Sequence, residues 1–386
     1  MELSEIKIEE IKDSCTGCGA CASFCPKECI VMKYDDEGFY FPFINHDLCI
    51  SCGMCESKCH ILNAGKKQNP SERKSYYGWN LIDSERKIST SGGTFIALAK
   101  GIINKGGIVY GAYYDVKSKH LYHTSTENVD LSSLTKSKYL ESDMSFIIKD
   151  IQKKISNHIP VLFCGTPCEV SGIKSSVKDD ENLLLTVDFI CHGVPSSKLF
   201  KEHLDHLIQG RDLRGIDFRS KDYGWSNKVL SIDTKSKKFA IPYCLDSFYY
   251  GFIIANAFLR RSCYECSFRK NHLSDISVAD FWMYRNVNIN LNDEKGLSVI
   301  VGNTPKGLST IQSLEGFDIH EIDNSFTDYL YSDRNYSKHF GVRSDFYRHY
   351  GNCGFEKAAK KTFFKFPFFR KAKYHLKKFI KTILRR

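Results

Sequence analysis

The chain has 386 residues, 42% of them hydrophobic and 26% charged, which is the composition of an ordinary globular protein. Its formal charge of +10 is not spread over the body: residues 355–386 carry twelve Lys/Arg against one Glu, and the rest of the chain sums to −1, so no nucleic-acid partner is expected. No stretch approaches the ~18 apolar residues of a membrane span. The opening MELSEIKIEE has neither a basic nor an apolar leader region, so a cytoplasmic chain with reduced cysteines is expected.

Residues 15–26 read CTGCGACASFCP, four cysteines at spacing two, two and three with a proline behind them. Two CxxC pairs are enough for zinc, but a third cysteine at the same spacing followed by CP is the bacterial ferredoxin run. Residues 49–59, CISCGMCESKC, repeat it. In such runs three thiolates hold one cubane and the fourth reaches the other. By that analogy Cys15, Cys18, Cys21 and Cys59 hold one 4Fe-4S cluster, and Cys49, Cys52, Cys55 and Cys25 hold the second. Between the runs, IVMKYDDEGFYFPF alternates about a DDEG turn and predicts a hairpin. Gly17, Gly19 and Gly53 suit tight turns beside the sulfurs, with bare amides able to donate to them. His60 stands where a proline usually closes the second run, which leaves the local turn open but not the ligation. Cys29, Cys244 and Cys353 read as ordinary thiols.

NAGKKQNPSERKS (63–75) is polar and reads as a linker. An α/β pattern follows. YYGWNL suits a strand. STSGGTFIALAKGIINKGG (89–107) suits a turn and then a helix, with Phe95, Leu98, Ala99, Ile102 and Ile103 on one face and Gly106-Gly107 at its end. IVYGAYYD is a strand. IPVLFCGTPCEVSGIKSSV and LLLTVDFICHGVPSSKLFKEHLDHLI each read as strand, tight turn, helix. That plan puts binding loops at the carboxyl ends of strands. Two such loops hold Cys164, Cys168 and Cys191, and RRSCYECSF adds Cys263 and Cys266. Singly, each suits a packed thiol. Together, Cys168, Cys191, Cys263 and Cys266 form a candidate four-thiolate site, with zinc or plain packing as alternatives and Cys164 as the substitute ligand.

STSGGTFIALAK, KSKYLES, VLFCGTPCEVSGIK, DFICHGVPS, FRSKDYGWS, RRSCYECSFRKNHLSDISVADFW and KGLSVIVGNTPKG occur in that order between about residues 76 and 325. This succession resembles the coenzyme F-420 (deazaflavin) hydrogenase/dehydrogenase beta-subunit family, which includes plant-type chlorophyll-derivative reductases. The resemblance implies an iron–sulfur flavoprotein oxidoreductase that uses FAD. It implies that Cys168, Cys191, Cys263 and Cys266 bind a third 4Fe-4S cluster. It also implies that the Ser91-Gly92-Gly93-Thr94 turn and the Ser137-Lys138-Tyr139 loop line the flavin pocket, with Lys138 near the flavin's anionic edge. A helix N-terminus behind two glycines independently suits a phosphate, although no GxGxxG is present.

The expected fold is therefore an N-terminal bacterial-type two-cluster ferredoxin domain (1–66) followed, after a linker (67–75), by a large mixed α/β flavin and iron–sulfur domain. The latter divides into a flavin-side region (76–155), a third-cluster region (156–330) and an extension (331–386). Clusters carry one electron and a flavin two, so joining them couples a ferredoxin-like or other redox protein to a small-molecule hydride donor or acceptor, or to a deazaflavin-type substrate. A relay subunit that only passes electrons between partners is the other expectation. No general acid is assigned: His192 and Asp280 suit packing or capping equally, and Trp225 and Tyr223 suit a core as well as a stacking platform. The tail FRKAKYHLKKFIKTILRR (369–386) has an apolar face and a Lys/Arg face, the pattern of a helix lying on the inner face of a membrane, packed on the body, or docked on an acidic partner.

Overall fold

The computed structural model of the protein describes residues 7–63, 73–287, 294–331 and 336–365. The linker residues 64–72 and the basic tail 366–386 lie outside these. Among the described residues, no helix is long and apolar enough to cross a membrane.

The first 63 residues fold around the cysteine runs. β1 (Ile30–Tyr34) and β2 (Tyr40–Ile44) pair antiparallel across the DDEG turn. Two single-turn helices, Ala20–Ser23 and Met54–Ser57, follow the CxxC loops, and each starts from a left-handed glycine, Gly19 (φ 75°) and Gly53 (φ 69°). A side chain at either position is strained by the backbone alone.

The large domain is built on one eight-stranded sheet. Its strands are β3 (Lys74–Asn80), β4 (Ile108–Asp115), β5 (His120–Ser125), β6 (Val161–Gly165), β7 (Leu184–Phe189), β11 (Ile276–Asp280), β12 (Ser298–Gly302) and β13 (Phe317–Ile322), in the order β13-β3-β12-β11-β7-β6-β4-β5. The centre, β11-β7-β6-β4, is parallel, and the flanking pairs are antiparallel. Strands covered on both faces read as near-continuous apolar runs, and LLTVDF and VLFCG do so. Val161 and Phe163 face one helical layer, Ile147–Ser156 and Pro167–Ser176. Leu162 points the other way, toward Thr94–Ile103 and Pro305–Gln312, the period-two alternation of a strand. A second sheet, β8 (Leu213–Asp217), β9 (Val229–Thr234) and β10 (Lys238–Pro242), is antiparallel in the order β10-β9-β8.

The sheet takes strands from both sides of residue 155, so regions 76–155 and 156–330 share one core. Residues after 331 are not a loose extension throughout: Phe346 and Phe355, from helices Phe340–Cys353 and Phe355–Thr362, are fully buried among Phe248, Phe258 and Leu204.

The ferredoxin domain is docked by buried charge. Arg260 donates to Cys15 O at 2.7 Å and Tyr40 O at 2.8 Å, and pairs with Glu141, whose other oxygen accepts from Tyr40 N at 2.9 Å. Arg260 is 1% exposed and Glu141 5%. At the far edge Lys58 donates to Ser176 O at 2.9 Å, at the carbonyl end of helix Pro167–Ser176, where a cation is favoured. Ala20 is part of the same apolar layer as Phe163 and Ile173.

Candidate metal centres and cofactor site

Among the described residues three cavities are walled by cysteine. The outermost is lined by Cys25, Cys49, Cys52 and Cys55, and Cys52 is exposed. The second is lined by Cys15, Cys18, Cys21 and Cys59. The crossed grouping expected from spacing is thus the grouping in space. Amides turn toward the sulfurs: Gly17 N donates to Cys15 Sγ at 3.5 Å and Ser51 N to Cys49 Sγ at 3.4 Å. The sequence reading missed Cys29, which lines the outer cavity with its Sγ 3.3 Å from that of Cys25. A single cysteine outside the repeated spacing carried no signal for this.

His60, the residue in the proline's place, is buried against the second cavity. Burial pushes its pKa down to about 4, so the ring is neutral. Its Nε2 lies 2.9 Å from Thr16 Oγ1, and its Nδ1 has no partner among the described residues.

The third cavity brings together Cys168, Cys191, Cys263 and Cys266. β6 and β7 are adjacent and parallel, so the loops at their carboxyl ends present Cys168 and Cys191 side by side. A capping box in which Thr166 Oγ1 accepts from Glu169 N at 3.3 Å and Glu169 Oε2 accepts from Thr166 N at 2.6 Å fixes the start of helix Pro167–Ser176, with Cys168 in its first turn. Cys263 ends the short turn Arg261–Cys263, and Cys266 immediately precedes the turn Ser267–Arg269. Val194 N donates to Cys263 Sγ at 3.5 Å. Burial first, and then the neighbouring thiols, push Cys263 up to about 12 and raise Cys191 further; burial also raises Cys168 and Cys266. Four thiolates in so dry a site repel one another unless a multivalent cation binds them. Arg269, which donates to Cys263 O at 2.8 Å, adds some positive charge beside them. His272 also lines the cavity, with its Nδ1 2.8 Å from the buried Asp188 carboxylate. Among the described residues no three His, Cys, Asp or Glu side chains meet the geometry of a single-ion site. Cys164 does not line the cavity; it belongs to β6 and packs against the opposite apolar layer.

The expected flavin residues are partly brought together. Ser137 N donates to Thr90 Oγ1 at 2.7 Å, which joins the 137–139 loop to the 91–94 turn. Most of these groups already have protein partners. Ser91 Oγ donates to Leu297 O at 2.6 Å, and Lys138 Nζ donates to Ser133 O at 3.0 Å and Thr135 O at 2.5 Å. Tyr139 faces the rings of Tyr243, Tyr249 and Phe252. The two glycines are required by protein packing: a Cβ on Gly92 would stand 2.5 Å from Gly78 O, and one on Gly93 2.9 Å from Asn80 Cβ. Thr94 differs. It is 3% exposed at the N-terminus of the ten-residue helix Thr94–Ile103, and its Oγ1 has no partner among the described residues. Burial lowers the pKa of both Lys138 and Lys221 to about 7, and Lys221 Nζ donates to Ser91 O at 2.6 Å. His192 and Asp280 are held within the protein: His192 Nε2 lies 2.7 Å from Asn256 Oδ1, and Asp280 pairs with Arg219 and accepts from Trp225 Nε1 at 2.8 Å. Trp225 is a buried core residue, while Tyr223 is exposed.

Comparison with known proteins agrees with the cysteine pattern. Residues 14–61 match the model of the 4Fe-4S dicluster domain. The chain is 22% identical over 295 residues to one of the subunits of the F(420)H(2) dehydrogenase of Methanosarcina mazei, spanning 70% of this chain and 77% of that one. Its cluster region is 37% identical over 78 residues to an iron-sulfur subunit of the CoB--CoM heterodisulfide reductase of Methanocaldococcus jannaschii, of which it spans only 12%. A chain of the F420-reducing NiFe hydrogenase complex from Methanosarcina barkeri superposes with a TM-score of 0.48 at 14% identity, over 73% of this chain and 94% of that one. The model for the C terminus of the coenzyme F420 hydrogenase/dehydrogenase beta subunit matches residues 160–324. Behind a segment that matches the 4Fe-4S dicluster domain, the chain therefore carries one that matches the C terminus of the coenzyme F420 hydrogenase/dehydrogenase beta subunit.

Proposed function

We propose that this protein is an iron–sulfur flavoprotein oxidoreductase in which three 4Fe-4S clusters connect a one-electron partner to FAD, with hydride exchange to a small-molecule or deazaflavin-type substrate. The observation that carries it is the gathering of Cys168, Cys191, Cys263 and Cys266, from three separate places in the chain, on one cavity beside the ferredoxin domain. Four partly buried cysteines, whose thiolates would repel one another without a cation, with a backbone donor and an adjacent guanidinium, fit a cubane. Cys25, Cys49, Cys52 and Cys55 hold the outer cluster, which the exposed Cys52 opens to a redox partner. Cys15, Cys18, Cys21 and Cys59 hold the inner one.

When bound, FAD supplies hydride chemistry and exchanges single electrons with the clusters. Thr94 fits such an anionic group, since its unpartnered hydroxyl stands at the N-terminus of a ten-residue helix. Lys138 and Lys221, poised near neutrality by burial, each hold or release a proton at Nζ as negative charge gathers nearby.

The relay reading is favoured by a different observation. Ser91, Ser137 and Lys138 already have protein partners, and Gly92 and Gly93 are explained by packing. Anaerobic purification followed by flavin release separates the two. FAD that is reduced in the isolated chain by a candidate hydride donor supports the enzyme; a flavin-free protein with intact clusters supports the relay. The basic tail lies outside the described residues, and its membrane reading rests on the sequence pattern. Sedimentation with anionic liposomes, lost when the chain ends at Phe355, tests it.

A further inference from the structure

The two thiol sites that face each other across the domain junction are joined by an aromatic contact. His60 lines the inner ferredoxin cavity and Phe268 lines the four-thiol cavity of the large domain. Their rings stack, with centroids 5.1 Å apart and planes 22° from parallel. The same junction is tightened by helix Pro167–Ser176. Its first turn carries Cys168 into one cavity, and its Gly172 lies against Cys18 of the other.

His60 is more than a spacer in this contact. The sequence reading found it as the departure from the ferredoxin pattern, and the structure gives it two functions that proline lacks. One is a flat face. The other is a ring nitrogen, Nδ1, that is buried and has no partner among the described residues. Buried polar nitrogens are rarely left so unless a ligand completes them. Its other nitrogen lies 2.9 Å from Thr16 Oγ1. In the neutral ring one nitrogen donates and the other accepts. Either group can donate across the Thr16–His60 contact; the tautomer in which the Thr16 hydroxyl donates to Nε2 is the one that places the hydrogen on Nδ1, on the unpartnered side.

We propose that His60 is a positioning residue of the electron path: its Nδ1–H donates to the inner cluster and raises that cluster's potential, and its ring stacked on Phe268 is the contact through which the inner site passes electrons to the four-thiol site. Hydrogen bonds to cluster sulfurs are one of the means by which a protein sets cluster potential. Each passage oxidises the inner site by one electron, reduces the four-thiol site by one and moves no proton; a reduced iron–sulfur redox protein at the outer cluster supplies the electron. The ordering runs outer cavity, inner cavity, four-thiol cavity. It rests on the three-cluster reading proposed above.

The test is a potentiometric titration followed by electron paramagnetic resonance on the full chain, anaerobically reconstituted, with iron counted in each sample. His60→Phe retains a ring for stacking and removes the N–H; its inner-cluster midpoint is expected to move to more negative potential at unchanged iron content. Phe268→Leu retains the N–H and removes the stack; it is expected to leave that midpoint in place and to slow reduction of the third cluster, in rapid-freeze samples, by several-fold. Thr16→Val frees Nε2 from the hydroxyl and is expected to move the midpoint in the same direction as His60→Phe, so the assignment is still tested if His60→Phe loses iron. Full iron with an unmoved midpoint in Thr16→Val, or in His60→Phe, overturns the role of His60. A wild-type chain short by one cluster's iron overturns the three-cluster reading instead, so the two failures are distinguishable.

Discussion

Gly172 lies directly against Cys18: a Cβ on the glycine would stand 2.9 Å from the Cβ of the cysteine and 3.1 Å from its Sγ. Cys168 is four residues earlier on the same helix, about one turn or ~6 Å along the axis. One helix thus touches a thiol of the ferredoxin domain and carries a thiol of the large domain.

Gly172→Ala tests how tight this approach is. In an open helix the change gains up to about 1 kcal/mol. Here the added carbon overlaps Cys18, and overpacking costs about 1–3 kcal/mol. A net loss of stability is expected in urea titration, together with loss of iron from the inner cluster. A more stable variant with full iron would show that the two domains stand further apart.

The Arg260–Glu141 pair should be the strongest single attachment between the domains. Removing one partner of a buried pair leaves the other charge uncompensated, at about 3–5 kcal/mol. Arg260→Ala also leaves Cys15 O and Tyr40 O without their donor. Proteolysis at the junction should accelerate sharply while the eight-stranded sheet persists by circular dichroism. Proteolysis at the wild-type rate would contradict the role of the pair.

Both cysteine runs, the hairpin between them and the strand–turn–helix units were legible because ligand spacing and hydrophobic period are local signals. The junction was not. Arg260 and Glu141 are 119 positions apart and belong to no repeating pattern. That residues on either side of 155 share one sheet was not legible either, because β3 takes its neighbours β12 and β13 from segments more than 200 residues on. Gly92 and Gly93 also carry a packing requirement that the sequence does not show, since Gly78 and Asn80 occupy the space their side chains would need. His60 was visible as an irregularity, but the ring it meets, Phe268, is far away in the chain.

Stability should fall on the alkaline side through one buried histidine. Burial opposes charge on His203, but Asp246, 2.9 Å from Nε2, and Glu356, 2.5 Å from Nδ1, outweigh it and raise its pKa to about 10. A histidine raised in the folded state contributes fully below its unfolded pKa of about 6.5. That contribution, at most about 5 kcal/mol, is lost as pH climbs from there toward 10. Glu356 starts helix Phe355–Thr362, so this helix should loosen first. Hydrogen exchange across pH 6–10 should show it in the wild type, and His203→Gln should flatten the slope. The same slope in the variant would assign it to other groups.

Thr94 separates a ligand-binding hydroxyl from a merely buried one. If nothing binds it, Thr94→Val removes an unsatisfied group and is neutral or stabilising. If FAD binds there, the variant should keep its fold and lose about tenfold in flavin affinity, near 1.4 kcal/mol. Equilibrium dialysis against FAD reads the difference. Equal affinity in both proteins would remove this helix from the flavin site.

The central claim is that the large domain holds a cluster of its own. Iron and acid-labile sulfide are counted in the full chain and in the Cys263→Ala, Cys266→Ala double variant, both purified anaerobically. Three cubanes require about twelve iron atoms in the wild type. The double variant should hold about eight, with the ferredoxin signals intact. Equal iron in the two proteins, or eight in both, would contradict the account and leave the four gathered cysteines as packed thiols.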